Sequence, residues 1–132
     1  MNETAKPVLE EIFEQGLFPK LLAGYCQHCE RKLFPKPIIC PYCLKPTQTV
    51  RLSEKGTIYS YTVIRIKAPF SLPQPYAVGY IDLKEDNLRI FSLLDSEKIN
   101  GLGIGAKVEL CIGKIGVDRE GAPCLRYYFT PV

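Results

Sequence analysis

The chain has 132 residues, with 17 Lys or Arg against 14 Asp or Glu, so its formal net charge is only +3. A charge this small neither demands nor excludes a nucleic-acid partner. Apolar residues make up 46% of the sequence, which is too many for a disordered chain. No apolar stretch approaches the roughly 18–20 residues of a membrane span, and the N-terminus lacks the basic start and apolar run of a secretory signal. We therefore expect a cytoplasmic protein.

The N-terminal region has helical periodicity. Within residues 7–15, apolar side chains recur at helical spacing opposite Glu10, Glu11 and Glu14, and Gly16 follows, which predicts a short amphipathic helix. Residues 18–25 predict a brief second helix before the first cysteine. A helix of about two turns is marginal in water, so its apolar face must pack on this chain or on a partner.

Two cysteine pairs with the same internal spacing come next. Cys26 and Cys29 form the first pair, Cys40 and Cys43 form the second, and ten residues separate the pairs. A tetrahedral Zn²⁺ ion takes four such sulfurs at about 2.3 Å, and two intervening residues let one tight turn present both sulfurs of a pair. Four thiolates leave no open position for water or substrate. The pattern therefore predicts a structural zinc ion bound by these four cysteines.

Three alternatives to this zinc site stay open. Two disulfides would also use four cysteines, although a reducing compartment argues against them. Iron in a rubredoxin-like electron carrier shares the tetrahedral four-sulfur geometry. His28, inside the first pair, could replace a sulfur, but four cysteines already complete the site, so we expect a solvated or supporting histidine.

After the cysteines the periodicity changes to two, and β-branched and aromatic residues become frequent. The predicted strands cover residues 56–65, 76–83, 88–94, 107–112 and 124–130. Five strands with little helix are typical of a five-stranded Greek-key barrel, the OB-fold, although an SH3-like barrel or a sandwich would give a similar pattern. A hairpin turning at residues 118–121 would place Cys111 opposite Tyr128 and Cys124 opposite Ile115, so these two cysteines do not pair. Gly79, inside the second strand, indicates a bend or a close backbone approach.

These patterns divide the chain into three parts. Residues 1–19 form an N-terminal helical segment, residues 20–47 a zinc ribbon, and residues 48–132 an OB-fold. The predicted fold class is mainly β.

The order of motifs resembles the DUF35 family of zinc-ribbon/OB-fold proteins that are associated with acyl-CoA enzymes. The resemblance extends from about residue 18 to residue 131. It rests on the predicted leading helix, the two cysteine pairs, Phe34-Pro35 between them, Gly56-Thr57-Ile58-Tyr59-Ser60, Pro75-Tyr76-x₂-Gly79-Tyr80-Ile81-Asp82-Leu83 and Ile104-Gly105-x₂-Val108.

The resemblance implies a rubredoxin-like zinc ribbon, an OB-fold, and a role as the small non-catalytic subunit of a thiolase-type complex. Such complexes act on acyl-CoA thioesters, including aromatic-succinyl and steroid side-chain substrates. One departure concerns the residue after each pair, often glycine in the family, which is Glu30 or Leu44 here. These residues can still adopt the left-handed turn, with some strain.

The first functional hypothesis is therefore an accessory or scaffold subunit that binds a thiolase-like partner and helps shape its acyl-CoA site. The connection after the first barrel strand is apolar and stiffened by prolines, which suits a preordered contact surface. We expect Phe70, Leu72, Pro73 and Tyr76 to contact the partner or CoA. The same side chains could instead simply close the open end of the barrel.

A second hypothesis is a single-stranded nucleic-acid-binding module, because OB-folds can present aromatic and basic residues to a strand. The candidate residues are Tyr59, Tyr61, Tyr80, Arg51, Arg65, Lys67 and Arg89. Aromatic residues within strands are more often core or cross-strand partners, and the low net charge weakens this hypothesis. An independent enzyme or electron carrier ranks third, because the single histidine forms no recognisable catalytic group with Ser or carboxylates.

Overall fold

The computed structural model describes residues 6–7, 12–14, 19–67 and 69–132. Within these ranges no helix is long and apolar enough to cross a membrane. The strands are β1 Lys6–Pro7, β2 Phe13–Glu14, β3 Lys20–Cys26, β4 Arg31–Leu33, β5 Gln48–Arg51, β6 Lys55–Ile64, β7 Tyr76–Leu83, β8 Leu88–Leu94, β9 Lys107–Val117 and β10 Pro123–Pro131. Short 3₁₀ turns occupy Pro69–Ser71, Lys84–Asp86 and Ser96–Gly101.

Strands β6 to β10 form a closed barrel. Strand β7 pairs antiparallel with both β6 and β8, β8 pairs parallel with β10, and β9 lies antiparallel to both β10 and β6. This strand order confirms the predicted five-stranded OB-fold. Strands β7 and β8 have the predicted bounds, whereas β9 runs to Val117, five residues beyond its predicted end at Ile112.

The β9–β10 hairpin has the predicted register. Cys111 lies opposite Tyr128, and a register shift follows between Pro123 and Leu125, where the strands twist toward the turn. All six cysteines are free.

A bulge and a glycine bend the barrel wall between β6 and β7. The register shifts between Ile58 and Ser60, which leaves Tyr59 as the extra residue. A Cβ atom on Gly79 would overlap the Ser60 carbonyl oxygen, so only glycine lets the two strands approach this closely. The close approach predicted at Gly79 is therefore between strands of the barrel.

The N-terminal part of the described chain is strand where helix was predicted. The second predicted helix, residues 18–25, is wrong at its described positions after Pro19, because β3 pairs there with β2, β4 and β5. Pairing on both sides satisfies its main chain, and the buried Leu21 and Ala23 alternate as in a strand. Of the first predicted helix, residues 8–11 and 15 lie outside the described residues. The helix prediction is wrong for the described residues of this segment, because Pro7 pairs with β10 and Phe13–Glu14 pairs with β3.

The ribbon sheet, β2 to β5, shares one apolar core with the barrel. Phe13 and Leu21 from the ribbon side pack in the same buried cluster as Ile81 and Phe129 of the barrel. A polar junction lies beside this core, where Asp86 in the β7–β8 turn accepts hydrogen bonds from Lys32 Nζ at 2.5 Å and the Ser53 N–H at 2.7 Å.

The junction at Asp86 predicts a measurable loss of stability on its removal. The Asp86 side chain is only 6% exposed, so Asp86→Ala leaves the part-buried Lys32 ammonium and the Ser53 N–H without their acceptor. We expect the free energy of unfolding in urea to fall by about 1–3 kcal/mol.

The matched control is Asp82→Ala, which breaks the exposed pair between Asp82 and Arg89. An exposed pair contributes about 0–1 kcal/mol, so this variant should unfold almost as the wild type does. Equal losses from the two substitutions would contradict a specific role for Asp86 in joining the ribbon to the barrel.

Candidate metal centre and docking cleft

The four predicted metal-binding cysteines lie together at one end of the ribbon sheet. The Sγ atoms of Cys26, Cys29, Cys40 and Cys43 are all within 4.8 Å of one another. Cys26 Sγ is 3.4 Å from Cys43 Sγ, and Cys40 Sγ is 3.9 Å from Cys29 Sγ. Sulfurs about 2.3 Å from one tetrahedral ion are about 3.8 Å apart, so the cluster has the size of a four-sulfur metal site.

The turns around the cysteines have the backbone that such a site requires. Glu30 and Leu44, the residues after each pair, adopt the predicted left-handed conformation, with φ of 53° and 63°. The Cys29 N–H donates to the Cys26 sulfur at 3.4 Å and lowers the pKa of that thiol to about 7, toward the thiolate that binds metals. Cys40, the third cysteine, is buried, and its N–H donates to the Lys45 carbonyl at 2.8 Å.

The other predicted candidates lie away from this cluster or outside its ligand set. His28 is exposed on the first turn and does not belong to the four-residue group. Cys124 is buried, with its sulfur 3.8 Å from the Ile115 carbonyl oxygen, and burial raises the pKa of the half-buried Cys111. Both therefore behave as small apolar residues of the hairpin.

The metal site predicts a selective effect of cysteine replacement. Cys40→Ser removes one soft ligand from the cluster, so we expect the purified protein to lose most of its bound metal and the ribbon to lose order. Cys111→Ser is the matched control, because Cys111 lies outside the cluster. Metal content by mass spectrometry, together with thermal unfolding, measures both effects; full metal occupancy in Cys40→Ser would contradict the assignment of Cys40.

A cleft of about 770 Å³ lies on the barrel where the ribbon meets it. Its walls are the 3₁₀ turn Pro69–Ser71 with the following residue, the outer side of β7 and β8, and the β9–β10 turn. In OB-folds this face, with the loops at its two ends, is the usual ligand-binding surface. Its size falls within the ~300–1,000 Å³ range of ligand pockets.

Three of the four predicted contact residues line this cleft. Phe70, Leu72 and Tyr76 belong to its wall, whereas Pro73 lies in an adjacent recess of about 480 Å³ that shares Tyr76. Sequence reasoning missed Phe91 and the β10 residues of the cleft, because neither lies near the proline-rich connection in the chain. The alternation of apolar and polar residues along the predicted strands shows which side chains face outward. It does not show which outward-facing side chains from different strands lie next to one another.

The polar groups of the cleft are largely engaged within the protein. The Asp118 carboxylate accepts the N–H groups of Glu120 and Ala122 at 2.9 and 3.0 Å. The Tyr127 hydroxyl donates to the Phe91 carbonyl at 3.3 Å, and burial raises the pKa of Tyr127 to about 12. Two arginines and two carboxylates line the cleft, so their formal charges cancel.

Aromatic side chains also lie exposed on the neighbouring outer face of the barrel. Tyr80 and Phe91 form the expected kind of cross-strand pair, with ring centroids 5.3 Å apart. Arg89 lies 3.3 Å from the centroid of the Tyr59 ring and pairs with Asp82 at 2.6 Å. A carboxylate therefore already pairs with the arginine that lies beside these exposed rings.

The fold and the cysteine cluster define a protein in which a four-cysteine ribbon is joined to an OB-fold barrel. The profile of the ChsH2 C-terminal OB-fold domain matches residues 49–113. The benzoylsuccinyl-CoA thiolase subunit BbsA of Thauera aromatica is 35% identical over 96% of this chain and 86% of that protein. A DUF35 domain-containing scaffold protein of Methanocaldococcus jannaschii is 32% identical over 85% of this chain and 82% of its own length. The chain belongs to the DUF35 family.

Two solved structures are similar to this one. The Ltp2–ChsH2(DUF35) aldolase matches with a TM-score of 0.66 and 26% identity, over 85% of this chain and 84% of that chain. A DUF35-family protein of unknown function from Sulfolobus solfataricus matches with a TM-score of 0.53 over 86% of this chain and 76% of that chain. At 16% identity, the second match shows a shared fold alone.

Proposed function

We propose that this protein is the small, non-catalytic subunit of a thiolase-type complex, where it stabilises a larger partner and helps shape that partner's acyl-CoA site. The observation that carries this proposal is the match to the thiolase subunit BbsA over 96% of the chain. A second BbsA, from Geobacter metallireducens, is 32% identical over the same share of the chain. The names of these relatives make a benzoylsuccinyl-type thioester the first substrate to test.

The metal in this proposal is a structural Zn²⁺ ion bound by Cys26, Cys29, Cys40 and Cys43. Support comes from the spacing of their sulfurs and from the closed four-thiolate set, which holds a metal ion without an open coordination position. When bound, the ion contributes folding free energy to the ribbon. Iron is the alternative, and a colourless purified protein would argue against it.

The contact surface in this proposal comprises Phe70, Leu72, Pro73 and Tyr76. Phe70 remains 46% exposed in a cleft whose other wall residues include the apolar Leu72 and Val78. Because the cleft has balanced charges and its polar groups are engaged internally, it suits an apolar segment of a protein partner better than a polyanion.

The proposal also includes the division of the chain into three parts. Residues 1–19 form the N-terminal segment, residues 20–47 the zinc ribbon, and residues 48–132 the OB-fold. Strand β5 lies within the third of these parts but pairs with β3 in the ribbon sheet, so the two larger parts share a sheet as well as a core. The proposed place of action is the cytoplasm, where acyl-CoA enzymes and reduced thiols are found together.

The first experiment is a tagged pull-down from the soluble extract of the source cell, with mass spectrometry and an absorbance ratio for nucleic acid. A stoichiometric protein with a thiolase sequence supports the proposal. The recovered large subunit should then thiolyse its acyl-CoA faster with this chain than without it, while this chain alone should be inactive. Nucleic acid alone, lost at high salt, would favour the OB-fold binding module instead.

Loss of the metal should break the complex. Cys40→Ser leaves the barrel residues of the proposed contact surface unchanged but removes the ion that orders the ribbon. We expect this variant to lose the large subunit in the pull-down, whereas Cys111→Ser retains it. Partner binding by a metal-free variant would contradict a structural role for the metal in assembly.

The cleft predicts a binding determinant at Phe70. We expect Phe70→Ala to raise the Kd for the recovered large subunit by about tenfold or more, because a large exposed ring at the centre of an interface is a typical hot spot. Ile66→Ala is the matched control, since Ile66 is an apolar residue of the same connection that is 75% exposed and does not line the cleft. Equal affinities of the two variants for the large subunit would contradict the assignment of Phe70 to the interface.

A further inference from the structure

The turn that carries Phe70 has a strained backbone. Phe70 and Ser71 both have positive φ, 54° and 55°, in the left-handed region that residues with a Cβ atom avoid. Because this conformation is unfavourable for residues with a Cβ atom, surrounding contacts must hold the two consecutive residues in it. Within the turn, the Leu72 N–H donates to the Pro69 carbonyl at 3.2 Å, and at its base Gln74 donates to the Arg65 carbonyl at 3.0 Å.

Strand β9 supplies the surface on which this turn rests. Gly116 has φ of 62°, and a Cβ atom at this position would overlap the Phe70 carbonyl oxygen and lie 3.2 Å from Leu72 Cδ2. Glycine therefore meets two requirements at once, the backbone conformation of β9 and the close approach of the turn. No larger residue fits without moving one of the two segments.

Arg126, on β10, bonds to the β9 backbone and lies near the ring of the turn. Its Nε donates to the Ile115 carbonyl at 3.1 Å and its Nη2 to the Val117 carbonyl at 2.8 Å, so both hydrogen bonds go to β9 and flank Gly116. The same guanidinium lies 5.8 Å from the centroid of the Phe70 ring, within the range of a cation–π contact. The Arg126 guanidinium thus binds the β9 backbone and also lies near the Phe70 ring.

We propose that Arg126 is a positioning residue, which with Gly116 holds the Pro69–Leu72 turn so that Phe70 is ordered before a partner docks. The functional part rests on the proposed accessory-subunit role. Preordering a contact residue strengthens binding because less conformational entropy is lost on association. Arginine presents its donors in a fixed planar fork, whereas the lysine ammonium is a compact point charge that lacks this geometry.

The ordering is tested on the isolated chain by amide hydrogen exchange, with the Leu72 N–H as the reporter. We expect Arg126→Gln, Arg126→Lys and Gly116→Ala to speed exchange at Leu72 by about tenfold, with little change in the strand amides of β7 and β8. Lys114→Gln is the control, because it removes an exposed positive charge from β9, the strand that contains Gly116. Unchanged Leu72 exchange in Gly116→Ala and in the arginine variants overturns the proposal, and so does full rescue by lysine.

The role in docking is tested separately, with the large thiolase subunit recovered in the pull-down as the probe. The variants with faster Leu72 exchange should bind it about tenfold more weakly, mainly through faster dissociation. Faster exchange with unchanged affinity would overturn the positioning role and leave the accessory function intact. If the wild-type chain recovers no thiolase subunit, the proposed function fails, while the exchange measurement still decides whether Arg126 orders the turn.

Gly116→Ala provides a second test of the proposal in case the arginine variants do not fold. It alters the turn from the side of β9 and leaves all hydrogen-bonding side chains in place. Metal content and the exchange of buried barrel amides report whether each variant is folded. A folded Gly116→Ala with wild-type protection at Leu72 overturns the proposal even if the arginine variants cannot be purified.

Discussion

The barrel depends on a short parallel pairing between β8 and β10. This pairing joins only Tyr128 with Leu93 and Phe129 with Leu94, whereas β10 pairs with β9 along nearly its whole length. The preceding part of β8 therefore borders a cleft, and the Tyr127 hydroxyl satisfies the Phe91 carbonyl where a longer ladder would have supplied a main-chain donor. The closure that completes the OB-fold thus also creates its candidate docking surface.

Strand β3 connects the cysteine cluster of the ribbon to the barrel core. Strand β3 begins beside the buried Leu21, in the core shared with the barrel, and ends at Cys26 in the metal cluster. The neighbouring strand β4 carries Lys32, which donates to Asp86 in the β7–β8 turn, so the ribbon and the barrel are also joined by a polar contact.

Several charged groups of the cleft and of the outer face are bonded within the protein, which supports the proposed protein partner. Asp118 and Arg126 in the cleft bond to main-chain groups of the hairpin, and Arg89 on the outer face is paired with Asp82. Nucleic-acid affinity comes mainly from unpaired basic groups near phosphates, and the exposed rings alone do not supply it. An apolar cleft with balanced charge instead matches the core of a protein interface.

Local patterns of spacing, period and proline content were enough to predict the four clustered cysteines, the five barrel strands and the proline-stiffened connection that contains Phe70. The same kind of pattern misplaced the N-terminal helices: at residues 13–14 and 20–26 helical spacing was overridden by pairing with strands distant in the chain. Only the tertiary structure brought Phe70, Gly116 and Arg126 together, since their contacts depend on how the β6–β7 turn lies on the β9–β10 hairpin. Such contacts arise from the packing of separate elements, and no periodicity within one element encodes them.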